Sequence, residues 1–153
     1  MIVLNASVVD AALAILGECG AGRAECLLYW VAPLGIERVD EVLHPDHESG
    51  PDWCEVDGAW ATGCFLDLAN RGRRIVAQLH THPGRWVEPS PTDRAGVLVP
   101  TVGFLSLVVP HYARDGLHGV ATWSLRPDGT WADAPQEIRW PNSASSSIAP
   151  SGS

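Results

Sequence analysis

The chain has 153 residues, a formal net charge of −8 and 46% hydrophobic residues. This length suits a single domain with a substantial core. The acidic balance and the lack of a basic run argue against a nucleic-acid partner, because phosphate-backbone binding needs clustered cations. No apolar run approaches the length of a membrane span, and no basic segment precedes the first apolar residues. We therefore expect a cytoplasmic protein that does not bind a membrane.

Composition also predicts where the domain ends and how the cysteines behave. We expect one domain over residues 1–140 and a disordered tail over 141–153, which is rich in Ser, Ala, Gly and Pro. The cysteines have no Cys-x-x-Cys spacing: Cys19, Cys26, Cys54 and Cys64. Cys26 and Cys64 lie in apolar runs, which predicts buried thiols in a reducing compartment. A disulfide that involves Cys54 stays open.

The first half of the chain predicts a helix followed by two strands. The helix begins near residue 7 and ends at residues 17–20, where glycine occurs twice. Its apolar stripe has helical spacing: Val9, Leu13 and Leu16. The continuous apolar run 25–32 predicts a central strand, and a turn at 33–35 leads to a second strand over 36–43.

Residues 44–57 predict a loop or an irregular strand. Potential metal ligands lie close together here: His44, Asp46, His47 and Glu48. We interpret them as part of a polar loop, because no predicted regular element fixes their geometry.

The second half of the chain predicts a further helix and four strands. Apolar residues spaced by four mark the helix, which ends at Gly72: Trp60, Cys64 and Leu68. The strands are predicted over about residues 74–82, 103–109, 119–126 and 136–140, and Pro127-Asp128-Gly129 predicts a turn.

The strand over 74–82 ends in a pattern of potential metal ligands. Strand alternation puts His80 and His82 on one face. The predicted members of that face are Val76, Gln78, His80 and His82, and those of the other face are Ile75, Ala77, Leu79 and Thr81. Pro83 ends the strand. Ser90-Pro91-Thr92-Asp93 then predicts a helix that continues to about Val99, with Ser90 as its N-cap. Two imidazoles and a carboxylate suffice for a three-ligand metal site with one open position.

The segment His80-x-His82-Pro83, followed by Ser90 and Asp93, resembles the motif of the JAMM (JAB1/MPN/Mov34) metalloproteases. That family also has a glutamate after an amino-terminal helix, at the start of the first long strand. Glu25 occupies this place. Glu18 is the rival, but it lies at the predicted helix end, and we rank it below Glu25.

The resemblance implies an α/β fold of the cytidine-deaminase-like MPN/JAB type, with a curved mixed sheet flanked by helices. It implies Zn²⁺ held by His80, His82 and Asp93, with Glu25 as general base and Ser90 as donor to the oxyanion. A true deaminase is disfavoured, because no Pro-Cys-x-x-Cys accompanies the histidines.

The resemblance also implies a substrate. The chain is similar to small bacterial members, which remove or process a ubiquitin-like protein after its Gly-Gly tail and work beside E1-like and E2-like enzymes. Processing of a sulfur-carrier protein or a small peptide is an alternative, and a non-catalytic MPN scaffold is another.

Other residues receive weaker predictions. Trp53 is a candidate to contact the partner's tail, although packing at a sheet edge suits it as well. Trp86 and Glu88 could line the cleft or belong to a surface loop, and Gln78 could support the ligands. We expect solvated side chains at two further histidines, His111 and His118.

Overall fold

The structure, a computed structural model, describes residues 1–90 and 99–142. The helices are α1 (Ala6–Glu18) and α2 (Gly58–Asn70). The strands are β1 (Ile2–Val3), β2 (Leu27–Pro33), β3 (Glu41–Leu43), β4 (His47–Gly50), β5 (Trp53–Val56), β6 (Arg73–Thr81), β7 (Leu105–Val109), β8 (Ala121–Leu125), β9 (Trp131–Asp133) and β10 (Ile138–Arg139). Neither described helix is long and apolar enough to cross a lipid bilayer.

Within the described residues, the main sheet has six strands in the order β3-β2-β6-β7-β8-β9. β6 and β7 run parallel, and the other neighbours are antiparallel, so the predicted mixed sheet is confirmed. β1 pairs with β10, and β4 pairs with β5 in a separate hairpin. β6 therefore lies between two neighbours in the sheet, which buries its carboxyl end.

The two helices cover opposite faces of this sheet. Leu28 and Trp30 of β2 pack in the same cluster as the apolar side of α1. The alternate residues Tyr29 and Val31 pack with Leu68 of α2. Because β2 is buried on both faces, its sequence is a continuous apolar run rather than an alternation.

A β-bulge changes the predicted faces of β6. Trp30 pairs with Ala77, but the next residue of β2, Val31, pairs with Ile75, so Val76 is left over. Val76 consequently packs in the cluster of Ala77, and Ile75 packs on the opposite face. The predicted alternation is wrong at Ile75 and Val76, because a bulge inserts one residue into the period of two.

Several predicted elements differ in the structure. α1 begins at Ala6, one residue before the predicted start, because the side chain of Asn5 accepts a hydrogen bond from Val8 N at 2.9 Å and caps the helix. The predicted strand 36–43 pairs in the main sheet at β3 alone, because Val39 N donates to Val3 O, which draws this part of the chain to β1. The short strands β1 and β9 were not predicted.

Of the two alternatives predicted over 44–57, a loop or an irregular strand, the loop is wrong, since most of this segment forms the β4–β5 hairpin. Two predictions lie outside the described residues. They are most of the helix from Ser90 to Val99 and nearly all of the tail over 141–153.

Candidate active site

Backbone pairing between β2 and β6 brings Glu25 to the histidine motif. Leu27 lies opposite His80 in the sheet. Cys26 N donates to Thr81 Oγ1 at 2.9 Å, and Thr81 N donates to Cys26 O at 3.0 Å. Thr81, between the two histidines, therefore holds the residue that follows Glu25. These bonds are buried, which fixes the register of the two segments.

The two histidines lie side by side in the interior. The exposed fractions of His80 and His82 are 2% and 4%, and their ring centroids are 5.0 Å apart. His82 Nδ1 lies 2.9 Å from Trp86 O. Because a carbonyl oxygen can only accept, we infer that Nδ1 carries the hydrogen, which leaves Nε2 as the nitrogen with the lone pair. Metal-binding histidines commonly have such a backbone partner.

A cleft of about 260 Å³ opens beside this pair. It is lined by Glu25, Asp52, His82, Pro83, Trp86 and Ser90. Glu25 is 4% exposed, and its backbone N donates to Gly50 O of the β4–β5 hairpin at 2.9 Å. The structure thus brings Glu25, His82 and Ser90 to one cleft, with His80 beside His82. Asp93, the predicted third ligand, lies outside the described residues.

Trp86 lies in the cleft, as was predicted from its position between the motif residues. Its ring stacks on His82 with centroids 5.6 Å apart and an interplanar angle of 26°. It remains 55% exposed. Asp52 in the hairpin turn was not predicted, because only the fold of that hairpin carries it to the cleft.

Other candidates lie away from this cleft. Glu18 is the exposed last residue of α1, and neither it nor Glu88 is among the described lining residues. Gln78 is buried and donates to Ser106 Oγ of β7 at 3.1 Å. The two predicted solvated histidines differ, since His118 is exposed but His111 is half-buried.

Residues 111–113 form a left-handed turn against the second histidine. His111, Tyr112 and Ala113 have φ values of 55°, 53° and 60°. Each L-residue in this region costs about 1–2 kcal/mol. Tyr112 N donates to His82 O at 2.9 Å, and its hydroxyl donates to Pro51 O at 2.7 Å. The turn thereby joins the backbone of His82 to the hairpin that flanks the cleft.

A second group of potential ligands combines two histidines that the sequence singled out with two cysteines that it did not. Cys19, Cys26, His44 and His47, which we term the Cys/His cluster, place their ligand atoms within 4.8 Å of one another. Cys19 and Cys26 are joined as a disulfide, so the prediction of a thiol at Cys26 is wrong, although its burial is confirmed. Cys54 is not part of this disulfide.

Partial burial lowers the pKa of His44, and the neighbouring His47 lowers it further as a second, smaller cause. A usable signal existed in the sequence, since Cys-x₆-Cys is followed by His-x-x-His. The sequence prediction named His44 and His47 as potential ligands but did not combine them with Cys19 and Cys26.

The sequence is similar to a known protein over part of its length. A scan against models of protein families finds no match. A probable metalloprotease of Sinorhizobium fredii (strain NBRC 101917 / NGR234) is 42% identical over 74 residues, which cover 46% of this chain and 44% of that protein. The chain therefore matches less than half the length of this relative.

Solved structures share the fold along almost the whole chain. A protein of Desulfitobacterium hafniense, solved in solution, has a TM-score of 0.66 at 16% identity and covers 92% of both chains. A Salinibacter ruber protein has a TM-score of 0.55 at 21% identity, over 95% of this chain and 94% of that one. A JAB1/MPN domain protein of Archaeoglobus fulgidus has a TM-score of 0.50 at 11% identity, over 91% of this chain and 96% of its own. The chain thus shares its fold with a JAB1/MPN domain protein and is similar over part of its length to a probable metalloprotease.

Proposed function

We propose that this protein is a metal-dependent peptidase that cuts an amide bond at the cleft beside β6. The observation that carries the proposal is that Glu25, His82 and Ser90 line one cleft, next to the buried ring of His80. The partly matching relative in Sinorhizobium fredii is itself described as a probable metalloprotease, which supports the same class of reaction. Nucleophilic catalysis through a serine is a poorer match, because the motif supplies metal ligands instead of a Ser-His pair.

The residues present suit a zinc ion. His80 and His82 offer adjacent imidazoles, and the Trp86 carbonyl orients one of them. Asp93 would complete the ligand set according to the motif. Two histidines and one carboxylate are a ligand set of catalytic zinc sites. When bound, Zn²⁺ would polarise the scissile carbonyl and acidify water.

Each remaining step belongs to the chain's own side chains. The Glu25 carboxylate takes a proton from the attacking water and passes it to the departing amine. The Ser90 hydroxyl donates a hydrogen bond to the carbonyl oxygen as negative charge develops there. Burial of Glu25 and both histidines limits competing water, which strengthens these electrostatic interactions.

For the substrate, we propose a ubiquitin-like protein with a Gly-Gly tail. The β4–β5 hairpin flanks the cleft through Asp52, and among the described strands β4 and β5 pair only with each other. A hairpin with an unpaired edge suits the addition of an extended peptide strand. Trp86 of the cleft and Trp53 of β5 are 55% and 40% exposed, so both offer apolar surface to a partner. Deconjugation would make E1-like and E2-like enzymes partners in the same pathway.

The test is a fusion of a Gly-Gly-ended ubiquitin-like protein to a folded carrier. We expect cleavage after the second glycine, inhibition by a chelator and restoration by added Zn²⁺. A fusion with Ala-Ala at the same place is the matched control and should be cut much more slowly. Mass spectrometry of the products locates the cut bond.

Other outcomes would overturn this proposal in stages. If short peptides or sulfur-carrier precursors are cut and the fusion is not, the alternative substrate class replaces the ubiquitin-like one. If no amide is cut by the zinc-loaded protein, the non-catalytic scaffold is the better account. E1-like and E2-like genes beside the gene would favour deconjugation, whereas sulfur-pathway genes would favour the alternative.

A further inference from the structure

We propose that the Cys/His cluster is a second metal site, in which Cys19 and Cys26 as thiolates and His44 and His47 as neutral imidazoles hold Zn²⁺ in a structural role. The site lies outside the JAMM motif and uses none of its residues. Four protein ligands of this type close the coordination shell of Zn²⁺, as in structural sites, and leave no position for a substrate.

Two sulfur–nitrogen separations fit tetrahedral coordination of one ion, whereas the two sulfurs must part from the disulfide to bind it. Cys19 Sγ lies 3.5 Å from His47 Nε2, and Cys26 Sγ lies 3.5 Å from His44 Nε2. Zinc bonds of about 2.3 Å to sulfur and about 2.0–2.1 Å to nitrogen, at tetrahedral angles, give a sulfur–nitrogen separation of about 3.5–3.6 Å. The His44 and His47 ring centroids are 5.1 Å apart, and the Nε2 atom of each ring lies 3.5 Å from one cysteine sulfur.

One imidazole is already oriented as a ligand. His47 Nδ1 lies 2.9 Å from Pro45 O, and a carbonyl oxygen can only accept. In the neutral ring, Nδ1 therefore carries the hydrogen and Nε2 directs a lone pair at Cys19 Sγ. A disulfide sulfur has no hydrogen to offer this lone pair. A bound cation would accept electron pairs from both His47 Nε2 and Cys19 Sγ. A backbone carbonyl that accepts from the other ring nitrogen is the usual support of a metal-binding histidine.

Metal binding and the disulfide exclude each other at this pair. Zn²⁺ binds thiolates, so binding converts two thiols to two sulfur ligands and releases two protons to solvent, with no transfer of electrons. The disulfide observed between Cys19 and Cys26 has no thiolate to give. The proposal therefore applies to the reduced chain.

The site would fix the segment that carries Glu25. Cys19 and Cys26 bracket that segment, and His44 and His47 lead into the β4–β5 hairpin. Glu25 N already donates to Gly50 O of the same hairpin. A metal at the Cys/His cluster would tie both sides of the cleft together at a second point. This role builds on the proposed function, but metal binding itself does not depend on catalysis.

The test uses Co²⁺ added to the full chain kept under a phosphine reductant. We expect a thiolate-to-cobalt charge-transfer absorption in the near ultraviolet. The JAMM motif contains no cysteine and cannot produce this absorption. Cys19→Ser should remove most of it, whereas Cys54→Ser, a half-buried cysteine in β5, is the matched control and should keep it. His80→Ala with His82→Ala should also keep it, which separates this site from the proposed catalytic one.

Two results would overturn the proposal. One is the absence of the absorption in the reduced wild-type chain that binds Co²⁺. The other is an absorption that survives in Cys19→Ser. Because Cys19→Ser could fail to fold, His47→Ala provides a second variant, in which the visible cobalt bands should weaken at least several-fold while far-ultraviolet circular dichroism is unchanged. Unchanged cobalt bands in His47→Ala would contradict the assigned ligand set.

Discussion

The chain has two histidine pairs, and they differ in what holds them. His80 and His82 lie at the buried end of β6, between two neighbouring strands. His44 and His47 lie at the entrance to a surface hairpin, and their partners come from another segment of the chain. The first pair is positioned by the sheet, whereas the second pair needs its two cysteines to complete a site.

This difference separates the two proposed roles. A catalytic site must keep a coordination position open and place a base beside it, which requires a rigid scaffold. A structural site supplies rigidity and closes all positions. The segment of Glu25 is connected to both pairs, since Cys26 N donates a hydrogen bond to Thr81 Oγ1, and Cys19 and Cys26 bracket Glu25 in sequence. Substitutions at the two pairs should therefore affect the position of Glu25 through different contacts.

The largest effect is expected for Glu25→Gln, which removes the proposed base and keeps the shape. Loss of general acid–base catalysis typically costs about 10²–10⁴-fold in rate. We expect such a fall in kcat for the Gly-Gly fusion, with unchanged metal content at both sites. Glu18→Gln is the control and should leave kcat unchanged, because Glu18 lies at the exposed end of α1.

If Glu25→Gln retains near-normal turnover, the base is misassigned. If it loses metal as well as activity, Glu25 serves as a ligand and not as a base.

Zinc at the Cys/His cluster should contribute to stability and not to chemistry directly. A ligand present at a thousand times its Kd stabilises the folded state by about 4 kcal/mol. For a chain of this size, each kcal/mol shifts the midpoint of thermal unfolding by about 2–4 °C. We expect Zn²⁺ to raise the midpoint of thermal unfolding by a shift of that order in the reduced double variant with His80→Ala and His82→Ala.

Adding Cys19→Ser to that double variant should remove the shift, and Cys54→Ser should not. Equal shifts in the two cysteine variants would place the stabilising ion elsewhere.

Thr81→Val tests the link between the two regions. Valine keeps the shape but lacks the hydroxyl that accepts from Cys26 N at 2.9 Å. A buried donor without its partner costs about 1–3 kcal/mol. We expect this loss in the free energy of unfolding by urea, together with a lower kcat. Thr81→Ser, which keeps the acceptor, should restore most of both. Equal losses in the two variants would mean that the methyl group, and not the hydrogen bond, matters here.

The smallest effect is expected at the left-handed turn. His111 has φ 55°, and glycine adopts this conformation without the steric cost that other residues have. His111→Gly should raise the free energy of unfolding by about 1 kcal/mol or less, since glycine also gains entropy in the unfolded chain. A clear loss of stability in urea unfolding would show that contacts of the imidazole outweigh the backbone strain.

Much of the main sheet could be predicted from sequence, because buried strands and amphipathic helices carry periodic patterns. The segments of β2, β6 and both helices follow from the spacing of apolar residues. The β6 bulge could not be predicted, since Ile75 and Val76 are equally apolar and only pairing with β2 decides their faces. The short strands β1 and β9 lack a pattern long enough to detect.

The two sites also differ in how much of each could be predicted from the sequence. His80, His82 and Ser90 belong to one local motif, and Glu25 could be placed from its position at the start of a strand. Asp52 and the Cys/His cluster depend on how the β4–β5 hairpin folds back over the end of α1. Its polar sequence has no strong strand pattern, so tertiary pairing decides its structure.

The most direct measurement is anomalous X-ray scattering at the zinc edge from crystals of the reduced, zinc-loaded protein. We predict one peak bonded to both His80 and His82, at about 2.0–2.1 Å from each ring, beside the Glu25 carboxylate. A second peak should lie at the Cys/His cluster. Zinc-loaded crystals with no peak between His80 and His82 would contradict the proposed hydrolytic site.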